Sequence, residues 1–221
     1  MDGYRFKTRL MDSSLSRMEL RVDEFIQKYG PFLAITIPLF TYLGVAEFGL
    51  LAAFAQTLFL LFWSYAGHRW CHSPDMPLYA INPHIQIHHN HALELPRWLS
   101  LVSEAIVNFF GFTILLLFEW LIGVKFLSTW IVLASAFLYI CIHILDYSIW
   151  PNSEHQLHHG KADCNYGPQF MDVLMETRCN PEKPYDDFTL KIPHAVVSFA
   201  LAFALRENEI TSTWINSLFQ K

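Results

Sequence analysis

Long apolar stretches with few or no charged residues alternate with short polar segments along this chain of 221 residues. Four of these stretches have about the length, roughly 20 apolar residues, that crosses the hydrocarbon core of a bilayer. The pattern therefore predicts four transmembrane helices. The predicted spans are Tyr29–Ala46, Phe48–Gly67, Trp98–Val124, which contains Glu104 and Glu119, and Phe126–Leu145, which contains His143.

The composition also favours a membrane protein. The chain is 53% hydrophobic and 16% charged, whereas charged residues make up about 25% of an average soluble domain. The alternative is a buried helical bundle of a soluble protein, but such helices carry a polar stripe and these stretches show almost none. The net charge of -5 gives no indication of a nucleic-acid partner.

The basic residues predict how the spans are oriented. Short turns at Gly44–Gly49 and Gly123–Lys125 join the spans into two hairpins. Of the 15 lysines and arginines, 14 lie before the first hairpin, between the hairpins or after the second. Because basic residues concentrate on the cytosolic side, we expect both termini and the histidine-rich segments at residues 68–89 and 155–159 in the cytosol, at the endoplasmic reticulum if the cell is eukaryotic.

The segments outside the spans predict one domain without a cleavable signal. Residues 1–30 form a polar leader that lacks an apolar core, and residues 31–221 form a single domain. The stretch Ile192–Leu205 is short for a span, so we expect an interfacial or packing helix. The cysteines form no CxxC pair and are expected to be reduced thiols. They are Cys71, Cys141, Cys164 and Cys179.

Histidines carry the chemical signal of this sequence. Eight of the eleven histidines fall in three short motifs. Neutral imidazole is a common ligand for iron, copper and zinc, and one ion rarely needs more than four ligands of this kind. Eight or nine histidines therefore indicate two neighbouring metal ions. The motifs are His68-Arg-Trp-Cys-His72, His84-Ile-Gln-Ile-His88-His89 and His155-Gln-Leu-His158-His159, and His143 stands alone near the end of an apolar run.

The spacing within the motifs places imidazoles on common helix faces. His68 and His72 are four residues apart, about 40° around an α-helix, so both side chains leave one face. His88 and His89 differ by about 100°, an angle that suits two ions rather than one. The expected metal ligands are His68, His72, His84, His88, His89, His143, His155, His158 and His159, and all of these except His84 and His143 are also the expected catalytic residues.

At these motifs the chain resembles the fatty acid hydroxylase and sterol desaturase superfamily of membrane non-haem diiron enzymes. The resemblance runs from about residue 63 to residue 178 and includes Asn165-Tyr-Gly167 and Asp172 after the last histidine motif. Met171 stands where that family has a tryptophan. The middle motif is one residue longer than the commonest form, which leaves ligation by His84 open. His91 is an alternative ligand, although its short offset from His89 favours a supporting role.

The resemblance implies an all-α integral membrane fold, with two hairpins and a cytosolic helical cap that holds the dimetal site. It also implies two iron ions, dioxygen as co-substrate, a lipid substrate and a separate electron donor such as cytochrome b5 or a ferredoxin. Zinc could replace iron in a purified sample because it binds nitrogen sites more tightly. Two iron ions with two external electrons can split dioxygen and oxidise a C–H bond, with hydroxylation and desaturation both open.

Other functions are also compatible with histidines in a membrane. Haem ligation needs single histidines in separate helices, which clustered motifs do not provide. A zinc transporter needs polar residues through the middle of the bilayer. A non-catalytic lipid- or metal-binding relative is the remaining alternative. A structural role is expected for each of the nearby acids, and His194 is not expected to bind metal. The acids are Glu104, Asp146, Asp163 and Asp172.

Overall fold

The computed structural model describes residues 2–73, 75, 82, 84–89, 95–150, 153–161 and 163–219. Side chains are described for these ranges except at residues 2–21, 87, 88, 146–148, 153, 209, 215, 216, 218 and 219. Within the described parts every regular element is a helix. The elements are α1 (Asp2–Phe48), α2 (Leu50–Cys71), a π-helix π1 (His84–His89), α3 (Arg97–Ile122), α4 (Thr129–Cys141), a second π-helix π2 (Ile142–Ile149), α5 (Ser153–Gly160), α6 (Gln169–Leu174), a 3-10 helix (Phe188–Lys191), α7 (Ile192–Glu207) and α8 (Glu209–Phe219).

Four described helices are long and apolar enough to cross a membrane, and three of them are the predicted spans. Val22–Phe48, Leu50–Cys71 and Arg97–Ile122 match the first, second and third predicted spans. The fourth is Phe188–Glu207, with 20 residues. The sequence-based prediction for that region is wrong in length, because the 3-10 helix before α7 adds a turn to the apolar stretch.

The predicted span at Phe126–Leu145 is shorter than expected. Only Thr129–Leu145 forms an apolar helix there, and it is not among the four helices of spanning length. Helix α4 instead occupies the centre of the bundle, where it packs against α1, α2, α3 and α7. Its residues 129–136 are all buried. A segment enclosed by other helices is apolar all round, which is why its sequence resembles a membrane span.

Helix α1 approaches α4 closely at Gly44. A Cβ atom at this position would lie 2.6 Å from Cδ1 of Ile131 and 3.2 Å from the Cβ atoms of Ala53 and Ser128. Glycine therefore allows α1, α2 and the start of α4 to meet. The adjoining turn is fastened by an ion pair between Lys125 and Glu47.

The turn between α3 and α4 is fastened by two buried polar side chains. The Glu119 carboxylate accepts hydrogen bonds from the backbone N–H groups of Phe126 and Leu127. Gln56 of α2 donates to the carbonyl oxygen of Phe126 at 3.0 Å and accepts from the Ser128 N–H at 2.9 Å. Backbone N–H and C=O groups without a hydrogen-bond partner are costly away from water. In this turn, where no helix pairs these groups, Glu119 and Gln56 supply the partners.

Exposed apolar side chains cover the outward faces of the long helices. Leu51 is 81% exposed, Phe110 64% and Leu121 65%. Patches of this kind are unfavourable in water and are expected where a helix faces lipid. The chain is an integral membrane protein.

The prediction of four reduced cysteines is wrong for two of them. Cys164 and Cys179 form a disulfide across a Cα–Cα distance of 5.0 Å. The intervening turn brings them together, because the Asn165 N–H donates to the Thr177 carbonyl oxygen at 2.7 Å. The separation of 15 residues concealed this pairing in the sequence. The other two cysteines, Cys71 and Cys141, are free thiols.

Candidate metal centre

Five histidines from three separate parts of the chain converge at one end of the bundle. Each offers one ring nitrogen, and these five atoms lie within 4.8 Å of one another. The residues are His68 and His72 of α2, His84 and His89 of π1, and His158 of α5. All but His89 are buried. Imidazole groups this close and this buried could hold a metal ion.

His72 is the centre of this group. Its Nε2 atom lies 3.1 Å from the Nε2 atoms of His68, His84 and His158. A ring nitrogen has either one proton or one lone pair, so it cannot form hydrogen bonds to three neighbours at once. Nitrogen ligands about 2.0–2.1 Å from one metal ion are about 3.0–3.4 Å apart. The spacing therefore suits a shared cation better than a hydrogen-bonded network.

The π-helical winding of π1 explains the long middle motif. A π-helix closes each turn with a hydrogen bond from residue i to residue i+5 rather than i+4. This winding brings His89 to the same side as His84, five residues earlier, and both belong to the five-histidine group. The angle derived for an α-helix does not apply here. The extra residue of the motif is taken up within the turn, so His84 joins the cluster.

A second set of histidines adjoins the first. The Nε2 atoms of His155 and His159 are 2.9 Å apart, and the His143 ring centroid lies 5.2 Å from that of His155. His89 lies between the two sets, with ring centroids 4.5 Å from His72 and 4.6 Å from His159. Eight of the nine predicted ligands are therefore neighbours.

Backbone carbonyl groups fix the orientation of two imidazoles. The Nδ1 atom of His158 donates to the carbonyl oxygen of Cys164 at 2.7 Å. The Nδ1 atom of His68 contacts the carbonyl oxygen of Tyr166 and lies 3.2 Å from the hydroxyl of Tyr139. A proton on Nδ1 leaves the Nε2 lone pair free for a metal ion, which is the usual arrangement of histidine ligands.

The turn that supplies these carbonyl groups is held by buried polar side chains. Asn165 adopts a positive φ of 53°, and its amide donates to the Glu154 carbonyl oxygen at 2.9 Å. Asp172 accepts from the Gly167 N–H at 2.6 Å and from the Thr177 hydroxyl at 2.8 Å. Burial raises the pKa of Asp172 to about 7. The turn at Asn165-Tyr-Gly167 thus supports the imidazoles of His68 and His158.

The remaining candidates have other positions. His194 of α7 is outside the five-histidine group. Glu104 is buried and Asp163 is exposed. The side chains of His88 and Asp146, and the whole of His91, lie outside the described residues.

Several supporting groups could not be found from the sequence. Backbone carbonyl groups are present at every residue, so the acceptors at Cys164 and Tyr166 carry no sequence signal. The role of Asn82 was not predicted either. Its side chain donates to the Cys71 carbonyl oxygen at 3.0 Å and accepts from the His84 N–H at 3.0 Å. An asparagine just before a histidine motif is a signal for a helix start, and here it ties π1 to the end of α2.

Two cavities reach the histidines from different sides. Small-molecule sites are mostly apolar cavities of about 300–1,000 Å³. The apolar cavity between α2 and α3 measures about 500 Å³, and His68 and His84 are among its lining residues. A polar cavity of about 400 Å³ adjoins His155 and is lined by the carboxylates of Glu154 and Asp172.

A bundle of apolar helices with clustered histidines at one end defines a membrane protein with a candidate metal centre. Residues 50–177, more than half of the chain, match the family model described as fatty acid hydroxylase. The chain belongs to the fatty acid hydroxylase family, within the superfamily that also contains sterol desaturases. Comparisons with curated proteins and with solved structures give no significant match.

Proposed function

We propose that this protein is a lipid-modifying membrane oxidoreductase that uses two iron ions, dioxygen and electrons from a separate donor protein. It hydroxylates or desaturates a C–H bond of a lipid. The observation that supports this most is the position of the five-histidine group at the inner end of an apolar cavity. Membership of a hydroxylase family points to the same chemistry.

The residues present fit two neighbouring metal ions. The first ion would be held by His68, His72, His84 and His158, whose Nε2 atoms surround that of His72 at 3.1 Å. The second would be held by His143, His155 and His159, with His89 beside both sites. His88 is expected to add a ligand. Neutral imidazole ligands carry no charge, so the ions would keep their positive charge.

When bound, iron supplies the electron transfer that activates dioxygen. In hydroxylation one oxygen atom enters the C–H bond and the other leaves as water, with two electrons from the donor and two protons. In desaturation two hydrogen atoms leave the lipid and both oxygen atoms become water, again with two external electrons and two protons. The protein residues hold the imidazoles, orient them through the Cys164 and Tyr166 carbonyl groups and exclude bulk water.

The proposed arrangement in the membrane has two hairpins, a cytosolic amino terminus and a cytosolic histidine site. The basic residues near the histidine motifs support this side. The electron donor, a protein such as cytochrome b5 or a ferredoxin, would then approach from the cytosol. In a eukaryotic cell we place the protein in the endoplasmic reticulum.

The direct test is metal analysis and turnover of the purified full-length chain. We expect about two transition-metal ions per chain and, after loading with iron, oxygen-dependent change of an added lipid extract. Mass spectrometry would detect the gain of one oxygen atom or the loss of two hydrogen atoms. An optical spectrum without a haem band separates this centre from a cytochrome.

The matched controls are zinc-loaded protein and the His158→Ala variant. Neither is expected to turn over lipid, because zinc has no redox chemistry and His158 belongs to the five-histidine group. Activity with zinc alone, or a metal content near one ion per chain, would contradict the diiron proposal.

A further inference from the structure

The apolar cavity between α2 and α3 is open toward the lipid-facing surface. Ile106, Phe110 and Ile114 of α3 line it and are 50%, 64% and 53% exposed. Trp70 of α2 lines the opposite edge and is 51% exposed. At its inner end the same cavity touches His68. A molecule in the bilayer could therefore reach the histidines without crossing water.

The two helices run in opposite directions, which fixes the depth of each lining residue. Gln56, early in α2, bonds to Phe126 beyond the end of α3, and the indole N–H of Trp63 donates to the Gly111 carbonyl oxygen at 2.9 Å. With a rise of about 1.5 Å per residue, His68 lies about 7.5 Å from the level of Trp63. Asn108 lies about 4.5 Å from the level of Gly111 in the same direction. Asn108 and His68 are thus within about 3 Å of the same depth.

Asn108 is the unusual member of the cavity lining. It is 7% exposed, and its amide nitrogen has no hydrogen-bond partner among the residues that the structure describes. A buried donor without a partner is rare and costly, and more so at membrane depth. Its neighbours in the lining are largely aromatic and aliphatic. The amide is therefore placed to receive a polar group from a bound molecule.

We propose that this cavity binds the acyl chain of the lipid substrate and that Asn108 donates a hydrogen bond to the acyl carbonyl oxygen. This inference rests on the function proposed above and names the substrate class. The unpaired atom of Asn108 is a donor, and a carbonyl oxygen accepts a hydrogen bond without a proton of its own to place. A sterol hydroxyl could also accept this hydrogen bond, but its own proton would need a further acceptor. Because Asn108 and His68 share one depth, the oxidised C–H bond lies within a few carbons of the carbonyl group.

The test is photolabelling of the purified full-length protein with lipid probes. The probes are methyl palmitate with a diazirine on its chain, the matching alkane without the ester, and a diazirine-bearing cholesterol. We compare the wild-type protein with Asn108→Leu, which keeps the side-chain size and removes the donor. Thr113→Val is the control, because the Thr113 hydroxyl bonds to the Phe109 carbonyl oxygen of its own helix and the residue does not line the cavity.

We expect the ester probe to label residues 63–71 and 106–114 about tenfold more than the alkane, the usual effect of one buried hydrogen bond. Asn108→Leu should remove that difference, and Thr113→Val should keep it. Equal labelling by ester and alkane in the wild type, or equal effects of the two variants, would overturn the proposal. So would labelling of the cavity by the sterol alone. Labelling needs no turnover, so its outcome is separate from that of the diiron proposal.

A second variant tests the cavity itself. A Cβ atom at Gly111 meets no atom within 4 Å, so Gly111→Phe adds bulk to the lining without a clash at the backbone. We expect it to abolish labelling by the ester probe while metal content stays at the wild-type value. Leu117→Phe is the control, since Leu117 is 50% exposed and is not part of the lining. Labelling that survives in Gly111→Phe would place the acyl chain elsewhere.

Discussion

The guanidinium group of Arg206 donates a hydrogen bond to the carbonyl oxygen of Leu43 at 3.3 Å. This contact joins the end of α7 to the end of the first span. At the other end of the same two helices, the Phe188 ring packs against Tyr29 and Phe32 with centroid distances of 5.5 and 4.8 Å. Helix α7 therefore runs the length of α1 in the same direction, away from the histidines.

This course gives a second prediction for the residues after Arg206. The basic residues predict both termini in the cytosol, whereas an α7 that crosses the membrane parallel to α1 predicts α8 on the opposite side. In sealed vesicles with the cytosolic face outward, we expect protease to remove a tag at Met1 and to spare one at Lys221. Detergent should expose both tags. Cleavage of both tags in intact vesicles would mean that α7 does not cross.

Alanine substitution of single histidines should distinguish the metal ligands from the other histidines. His72→Ala removes the nitrogen that lies 3.1 Å from three others, so we expect loss of bound metal and of turnover. His84→Ala should have the same effect, because π1 brings His84 into the cluster. His194→Ala should leave metal content unchanged. A loss of metal in His194→Ala equal to that in His72→Ala would show that the centre is misassigned.

The buried carboxyl of Asp172 should make stability depend on pH. Burial raises its pKa to about 7, above its value of about 4 in an unfolded chain, so the protonated form favours the folded state. This stabilisation, at most about 4 kcal/mol, is complete below about pH 4 and is lost as pH rises through about 7. Asp172→Asn, which cannot ionise, should flatten the change in Tm between about pH 5 and pH 8.

The control for this titration is Asp163→Asn, since Asp163 belongs to the same turn and is exposed. Its melting curve should follow that of the wild type at every pH. The explanation fails if Asp172→Asn and the wild type show the same pH dependence in thermal unfolding.

The disulfide should stabilise the turn that orients His158. Chain entropy alone assigns about 3 kcal/mol to a closed loop of about 15 residues. Cys164 also supplies the carbonyl acceptor for His158. We expect a phosphine reductant to lower both the Tm and the metal affinity of the wild-type protein. A Cys164→Ser/Cys179→Ser variant should start at the lower values and not respond. Alkylation of both thiols without reductant would show that the pair is not oxidised in the cell.

The sequence was sufficient where a single residue type or a long pattern carries the signal. Long apolar stretches predicted α2 and α3 closely, and the histidine motifs predicted the residues that cluster. The sequence was insufficient where a property depends on neighbours in space. The apolar stretch of α4 is apolar because other helices enclose it, and the partners Cys164 and Cys179 meet only because a turn folds back. The type of helix could not be predicted either, since the sequence His84-Ile-Gln-Ile-His88-His89 is compatible with an α-helix and with a π-helix.

The π-helical turn at His84–His89 has a consequence for how this histidine segment can vary. Within an α-helix, an added residue rotates each later side chain by about 100°, which would turn one end of the motif away from the other. A wider turn holds the added residue between the two ends. A motif of six residues can therefore present both His84 and His89 to the same cluster.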